Sequence, residues 1–241
     1  VQSQKDDGGW GNFHPSHGAN RSRALGTGAA LLFLGKGLAP TIVGKLDYGP
    51  DSQAVAWDMR NLTDYVAKEM GTHLNWMSLP AEADIDEYIK VPVIYVSGTK
   101  DPSGALAKHK QKLTEYMDAG GIVMGSAVGD SDAFTNGFRS FIKDLTGKEF
   151  TPVDRRHKFY TRHERLGRDM KLEAIVDKET DTVKALLIGQ PFATALASTK
   201  GRGTRYAMQL GANIIVSQTQ IDKRESFLNE IMLPKRGRRR R

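Results

Sequence analysis

The stretch VPVIYVS, residues 91–97, decides how this chain folds. It is apolar almost throughout, with no polar alternation, which is how a strand reads when both of its faces are covered, as in the middle of a parallel sheet. A second run of the same kind, Ile122 to Gly125, follows Gly120-Gly121. Between the two, Gly104 to Ala119 places Leu106, His109, Leu113, Tyr116 and Met117 at helical spacing on one side. Upstream, Thr41 to Tyr48 and Leu74 to Leu79 have strand composition, and Val55, Met59, Leu62 and Val66 mark an amphipathic helix between them. An acidic helical turn at Ala83 to Tyr88 leads into the central run. Downstream, Asp130-Ser131-Asp132 offers capping side chains to a helix carrying Phe134, Phe138, Phe141, Ile142 and Leu145. Leu172 to Val176 and Val183 to Ile188 are expected to pair as a hairpin around the turn 177–181. Arg202 to Leu210 reads as a helix that Gly211 ends ahead of a last strand, Ala212 to Val216. Strands alternating with helices imply an α/β fold with a mostly parallel sheet and helices on both faces.

Composition removes several classes. The chain has 241 residues, of which 39% are hydrophobic, enough for an ordinary core. Its longest apolar stretch, Ala29 to Leu34, is far short of the roughly 20 residues that span a bilayer. There is no cysteine, so disulfides, thiolate metal sites and a cysteine nucleophile are excluded. The net charge of +7 is concentrated in Lys235, Arg236, Arg238, Arg239, Arg240 and Arg241, which leaves about +1 for everything else. Only that tail offers an electrostatic arm for the phosphates of a nucleic acid; a solvated terminal charge run is the plainer reading. The chain opens at Val1 on polar, Gly-rich sequence without a methionine, which reads as a fragment or a processed product whose cellular address is not legible.

The order KLDYG, NLTDYV, LNW, VPVIYVSGTKDP, LTEYMDAGGIVMGSA, DAFTNGFRSFIKDL, RHKFYT and LGANIIV, over roughly Pro40 to Thr219, resembles the bacterial domain of unknown function number 4159. That resemblance implies a sheet of the class I glutamine-amidotransferase-like kind, close to a flavodoxin-like one, over residues 40–220. It also implies that residues 1–39 are the end of an upstream helical toroid related to prenyltransferases and terpene cyclases, with Asp7-Gly8-Gly9-Trp10-Gly11 and the helix Ala24 to Leu34 resembling the last turn of such a repeat. Residues 221–241 then form a C-terminal extension. One repeat cannot make a barrel, so no cyclase activity is implied.

In amidotransferase-like proteins, a Gly-Gly strand rises into a tight turn that carries the nucleophile. Here Gly121-Ile122-Val123-Met124-Gly125-Ser126-Ala127 places Ser126 at the similar position. An elbow there would expose its hydroxyl beside backbone N–H groups suited to an oxyanion. Serine needs a base, and the family's His-x-Glu pair is not found near the end; His157 and His163 are the histidines that follow Ser126, with His157 the candidate partner. Against this stands a serine that ends a strand and helps cap the next helix.

Loops at the carboxyl ends of strands supply a ligand-binding set of Ser97, Gly98, Asp130, Asp132 and Asp154, with His157 nearby in sequence. Helix capping and surface exposure account for the same aspartates. Residues 155–165 interleave cations with Phe159 and Tyr160, and read either as a phosphate-and-base platform or as a solvated strand with Phe159 turned inward. Gly98-Thr99-Lys100-Asp101 lacks the spaced glycines of a phosphate loop. The leading expectation is a non-catalytic domain that binds a protein or a polar small molecule and needs no cofactor. The alternatives are a serine hydrolase at Ser126 and a nucleic-acid-associated subunit acting through the tail.

Overall fold

The computed structural model describes Thr27 and residues 39–219, apart from 167–170, 178–181, 190–191 and 199. Two compact units divide the chain, Val1–Pro40 and Thr41–Arg241. The expected helical remnant over 1–39 and the C-terminal extension with its basic tail lie almost wholly outside the described residues.

Seven strands form one sheet in the order β2-β1-β3-β4-β7-β6-β5. They are β1 (Thr41–Asp47), β2 (Asn75–Pro80), β3 (Val93–Gly98), β4 (Ile122–Ala127), β5 (Thr151–Pro152), β6 (Leu172–Asp177) and β7 (Thr182–Ile188). β2, β1, β3, β4 and β7 run parallel, and β6 runs antiparallel to both of its neighbours. The expected α/β class, with a mostly parallel sheet, is therefore what the chain adopts. The β6–β7 hairpin is present, and β3 lies between β1 and β4.

Period-2 alternation assigns the strand residues to two cores. Val93, Tyr95, Ile122 and Met124 face one layer, which holds α1 (Asp58–Met70), a short α6 (Lys158–Thr161), α7 (Phe192–Ala197) and α8 (Arg202–Thr219). Ile94, Val96, Val123 and Leu187 face the other, with α2 (Ile85–Ile89), α3 (Ser103–Leu106), α4 (Lys110–Asp118) and α5 (Asp132–Thr146). Helices on both faces explain why residues 91–97 read as continuously apolar.

Two local expectations are corrected. Ala212 to Val216 is not a strand: α8 runs unbroken from Arg202 to Thr219. Gly211 does not stop the helix; it lets α8 approach α1, since a Cβ there would come 2.5 Å from Leu62 Cδ1. Ala207, Leu210, Ile214 and Ile215 are all buried, a helical spacing that the short apolar run Ile214-Ile215-Val216 disguised. Nor are residues 155–165 a solvated strand. Lys158–Thr161 is a single helical turn, with Phe159 and Tyr160 both buried against the first core.

Candidate functional site

In an open α/β sheet, ligands bind outside the carboxyl ends of the strands where the strand order reverses. Here β1 leads to β2 on one side, and the chain then crosses back to β3 on the other, which puts that point between β1 and β3. The loops that follow β1 and β3 meet there.

They are stitched together by one side chain. Asp51, in the 3-10 turn Pro50–Gln53, accepts from Thr99 N at 2.9 Å, Lys100 N at 3.0 Å and the Thr99 hydroxyl at 2.5 Å. Burial pushes its carboxyl up, but the Thr99 hydroxyl, the two amides and the Lys100 charge outweigh that and hold it below the ordinary range. Tyr48 donates to Ser97 O at 2.8 Å. Gly98 is required at this closure, because a Cβ would lie 2.3 Å from Asp51 Oδ2 and 2.4 Å from the Tyr48 hydroxyl.

Beneath the loops lies a polar layer inside the first core. Lys45, pointing from β1, donates to both carboxylate oxygens of Asp58 at 2.9 Å and to Val55 O at 2.7 Å. Both side chains of the pair are nearly inaccessible, at 3% and 2% exposure. With three acceptors the ammonium is fully used, which is how a charge survives in a core. The Tyr95 hydroxyl lies near those of Ser97 and Ser126. Neither closes a hydrogen bond: Tyr95 OH and Ser97 Oγ are buried without a partner among the described residues. Burial, reinforced by the Asp58 charge, holds the Tyr95 phenol well above its ordinary value, so it stays neutral.

Next to Asp58 in the chain stands Trp57. It precedes α1 with φ 69°, and it is the one non-glycine residue among those described with positive φ. Its ring is 62% exposed, and the Arg60 guanidinium lies 5.1 Å from the ring centroid. A bulky residue in the left-handed region costs of order 1–3 kcal/mol, a strain that concentrates at sites of function.

A family model matches residues 42–217 of the chain. The chain belongs to the family of domain of unknown function DUF4159. No curated protein matches it. The DUF4159 match thus runs from within β1 to within α8 and takes in all seven strands but for Thr41.

The residues singled out in the sequence of this DUF4159 domain are dispersed. Ser126 is not on an exposed elbow; it is fully buried within β4, in register with Ser97 of β3. Its hydroxyl receives Ala193 N at 3.4 Å and lies 3.4 Å from Ala127 O. His157 caps α6, its Nδ1 accepting from Phe159 N at 3.3 Å, and His163 Nε2 faces Glu69 Oε2 at 3.5 Å. Asp130 and Asp132 are exposed, and the cap of α5 is Ser131 between them, accepting from Phe134 N at 3.2 Å. Asp154 is exposed and accepts from Arg156 N at 2.7 Å. Asp130 and Asp132 follow β4 whereas Asp154 and His157 follow β5, three strand positions away, about 14 Å at the usual inter-strand spacing. Of the expected set, Ser97, Gly98 and Ser126 come together.

Asp51, Lys45, Trp57 and Asp58 carry this edge and had no motif to announce them. Lys45 left one trace, a lone cation inside the strand sequence TIVGKLD.

Proposed function

We propose that this DUF4159 domain is a non-catalytic binding module on an amidotransferase-like scaffold, taking a polar small molecule at the carboxyl edge of β1 and β3 against the Trp57 ring. The observation that carries the proposal is Trp57 itself, an exposed aromatic kept in a strained backbone conformation at the sheet's reversal point. Tyr95 OH and Ser97 Oγ, on β3, add buried polar groups without a partner among the described residues. The scaffold part of the proposal is supported by the run Gly121 to Ala127, whose sequence resembles the nucleophile-bearing strand of amidotransferase-like proteins, with Ser126 itself inside β4 rather than on the turn after it.

The chemistry at that position favours binding over acyl transfer. A serine hydroxyl needs an imidazole or amine to take its proton. Ser126 Oγ meets Ala193 N and Ala127 O, and the ammonium of Lys45 in this layer is consumed by Asp58 and Val55 O. A fluorophosphonate adduct at Ser126 on the intact protein would restore the hydrolase reading.

The direct test follows the indole N–H signals of the three tryptophans by NMR while nucleotides, amino acids and sugar phosphates are titrated in turn. At least one compound is expected to shift the Trp57 indole together with the Thr99 and Lys100 amides, and Trp57→Ala should abolish that response with the remaining spectrum preserved. Binding that maps elsewhere, or none across the panel, defeats the proposal.

A further inference from the structure

About 16 Å along α1 from its first residue, at the usual rise per residue, the helix presents Glu69 to a different cluster. One ligand atom each from Glu69, His163 and Glu164 lie within 4.8 Å of one another. We propose that these three residues form a site for a divalent transition ion, with zinc(II) the ion best suited to them. The cluster shares no residue with the Trp57 edge, and the inference stands independently of the binding reading given above.

The observation that points to an ion is His163 Nε2. Its side chain is only 5% exposed, and Nε2 is buried with no hydrogen-bond partner, although it lies 3.5 Å from Glu69 Oε2. A protonated nitrogen would need an acceptor in line, which the geometry does not supply. A buried imidazole nitrogen without a hydrogen bond, grouped with two carboxylates, is a set of atoms that a cation can use. In a tetrahedral zinc site with bonds near 2.0–2.1 Å, adjacent ligand atoms stand roughly 3.3 Å apart, close to the His163–Glu69 separation.

The surroundings already orient the ligands. Glu164 Oε1 accepts from the Tyr65 hydroxyl at 2.8 Å, and Oε2 accepts from Gln209 Nε2. Buried Asn213 on α8 fixes the backbone, its Oδ1 accepting from His163 N and Glu164 N at 2.8 Å and its Nδ2 donating to Glu164 O at 2.7 Å. Such outer contacts are what hold ligands in place at metal sites. One imidazole and two carboxylates suit a borderline ion and balance its two charges; magnesium and calcium favour all-oxygen shells. Three protein ligands leave a fourth position for water or another ligand. An ion here would tie α1 to the segment after α6, which hydrogen bonds already hold to α8.

The experiment is isothermal titration of zinc chloride into the chelator-stripped 241-residue chain, with magnesium and calcium chlorides in parallel. Wild type is expected to take up one equivalent of zinc, and His163→Gln and Glu69→Gln each to lower the affinity by at least ~10-fold. Glu69 is partly exposed at the end of α1, so Glu69→Gln preserves the fold, checked by circular dichroism, and its loss of affinity reads ligation rather than unfolding. The d–d absorption of the cobalt(II)-loaded protein should fade in the same two variants. Zinc affinity unchanged in both variants, no uptake at micromolar zinc, or a preference for magnesium or calcium would each overturn the site.

Discussion

Trp57 illustrates how one residue can work against the stability of its own fold. Its left-handed backbone is comfortable only for glycine, and its ring is largely in solvent, so the core gains little from it. Trp57→Gly is therefore expected to raise stability by about 1 kcal/mol in urea unfolding. A loss of comparable size would mean that the ring is structural and would remove the main support for a ligand at this edge. Asp51 gives a second residue-scale expectation, with a defined sign. Its folded pKa is depressed from 3.8, so its contribution is present above that value and is lost as pH falls through the lower folded one. Asp51→Asn should therefore be less stable than wild type near neutral pH, and the difference between the two melting curves should shrink below about pH 4.

At the scale of elements, α8 depends on a missing side chain. Adding a Cβ at Gly211 in an isolated helix would help, since glycine is the poorest ordinary helix former. In this fold the same Cβ meets Leu62 of α1, whose side chain is itself fully buried and has little room to turn. Gly211→Val should cost about 1–3 kcal/mol through overpacking, visible as a lower urea midpoint at unchanged slope. A neutral result would show that α1 and α8 can separate without penalty. The same pairing brings Tyr65 of α1 and Gln209 and Asn213 of α8 around Glu164, so the helix contact and the proposed ion site are coupled.

For the molecule as a whole, the order of the strands sets where it is hardest to open. β3 and β4 are buried residue after residue and have a strand on each side. β2 and β5 are the edges, and β5 is two exposed residues long. Amide hydrogen exchange should be slowest at Val93–Val96 and Ile122–Gly125 and fastest at β5 and β2, because inner amides exchange only through openings that disrupt both cores. Equal protection across the sheet would contradict the two-layer packing. No described helix is long and apolar enough to cross a membrane.

The sequence by itself determined the sheet's interior and the family. Residues 91–97 and 122–125 are apolar at every step because helices cover both faces, and that signature is local enough to read without coordinates. It also placed Ser97, Gly98 and Ser126 at the strand ends that do meet. What only the tertiary structure decided depends on contacts between distant segments. Ile214 and Ile215 look like strand residues until α1 supplies the surface they pack under, and Gly211 looks like a stop until Leu62 fills the space beside it. Ser126 had a nucleophile's position in the sequence, but its burial and its partners come from β3 and α7. Lys45 with Asp58, and Glu69 with His163 and Glu164, come from separate elements and carry no motif; helix and sheet packing brings each set together, which no spacing of letters encodes.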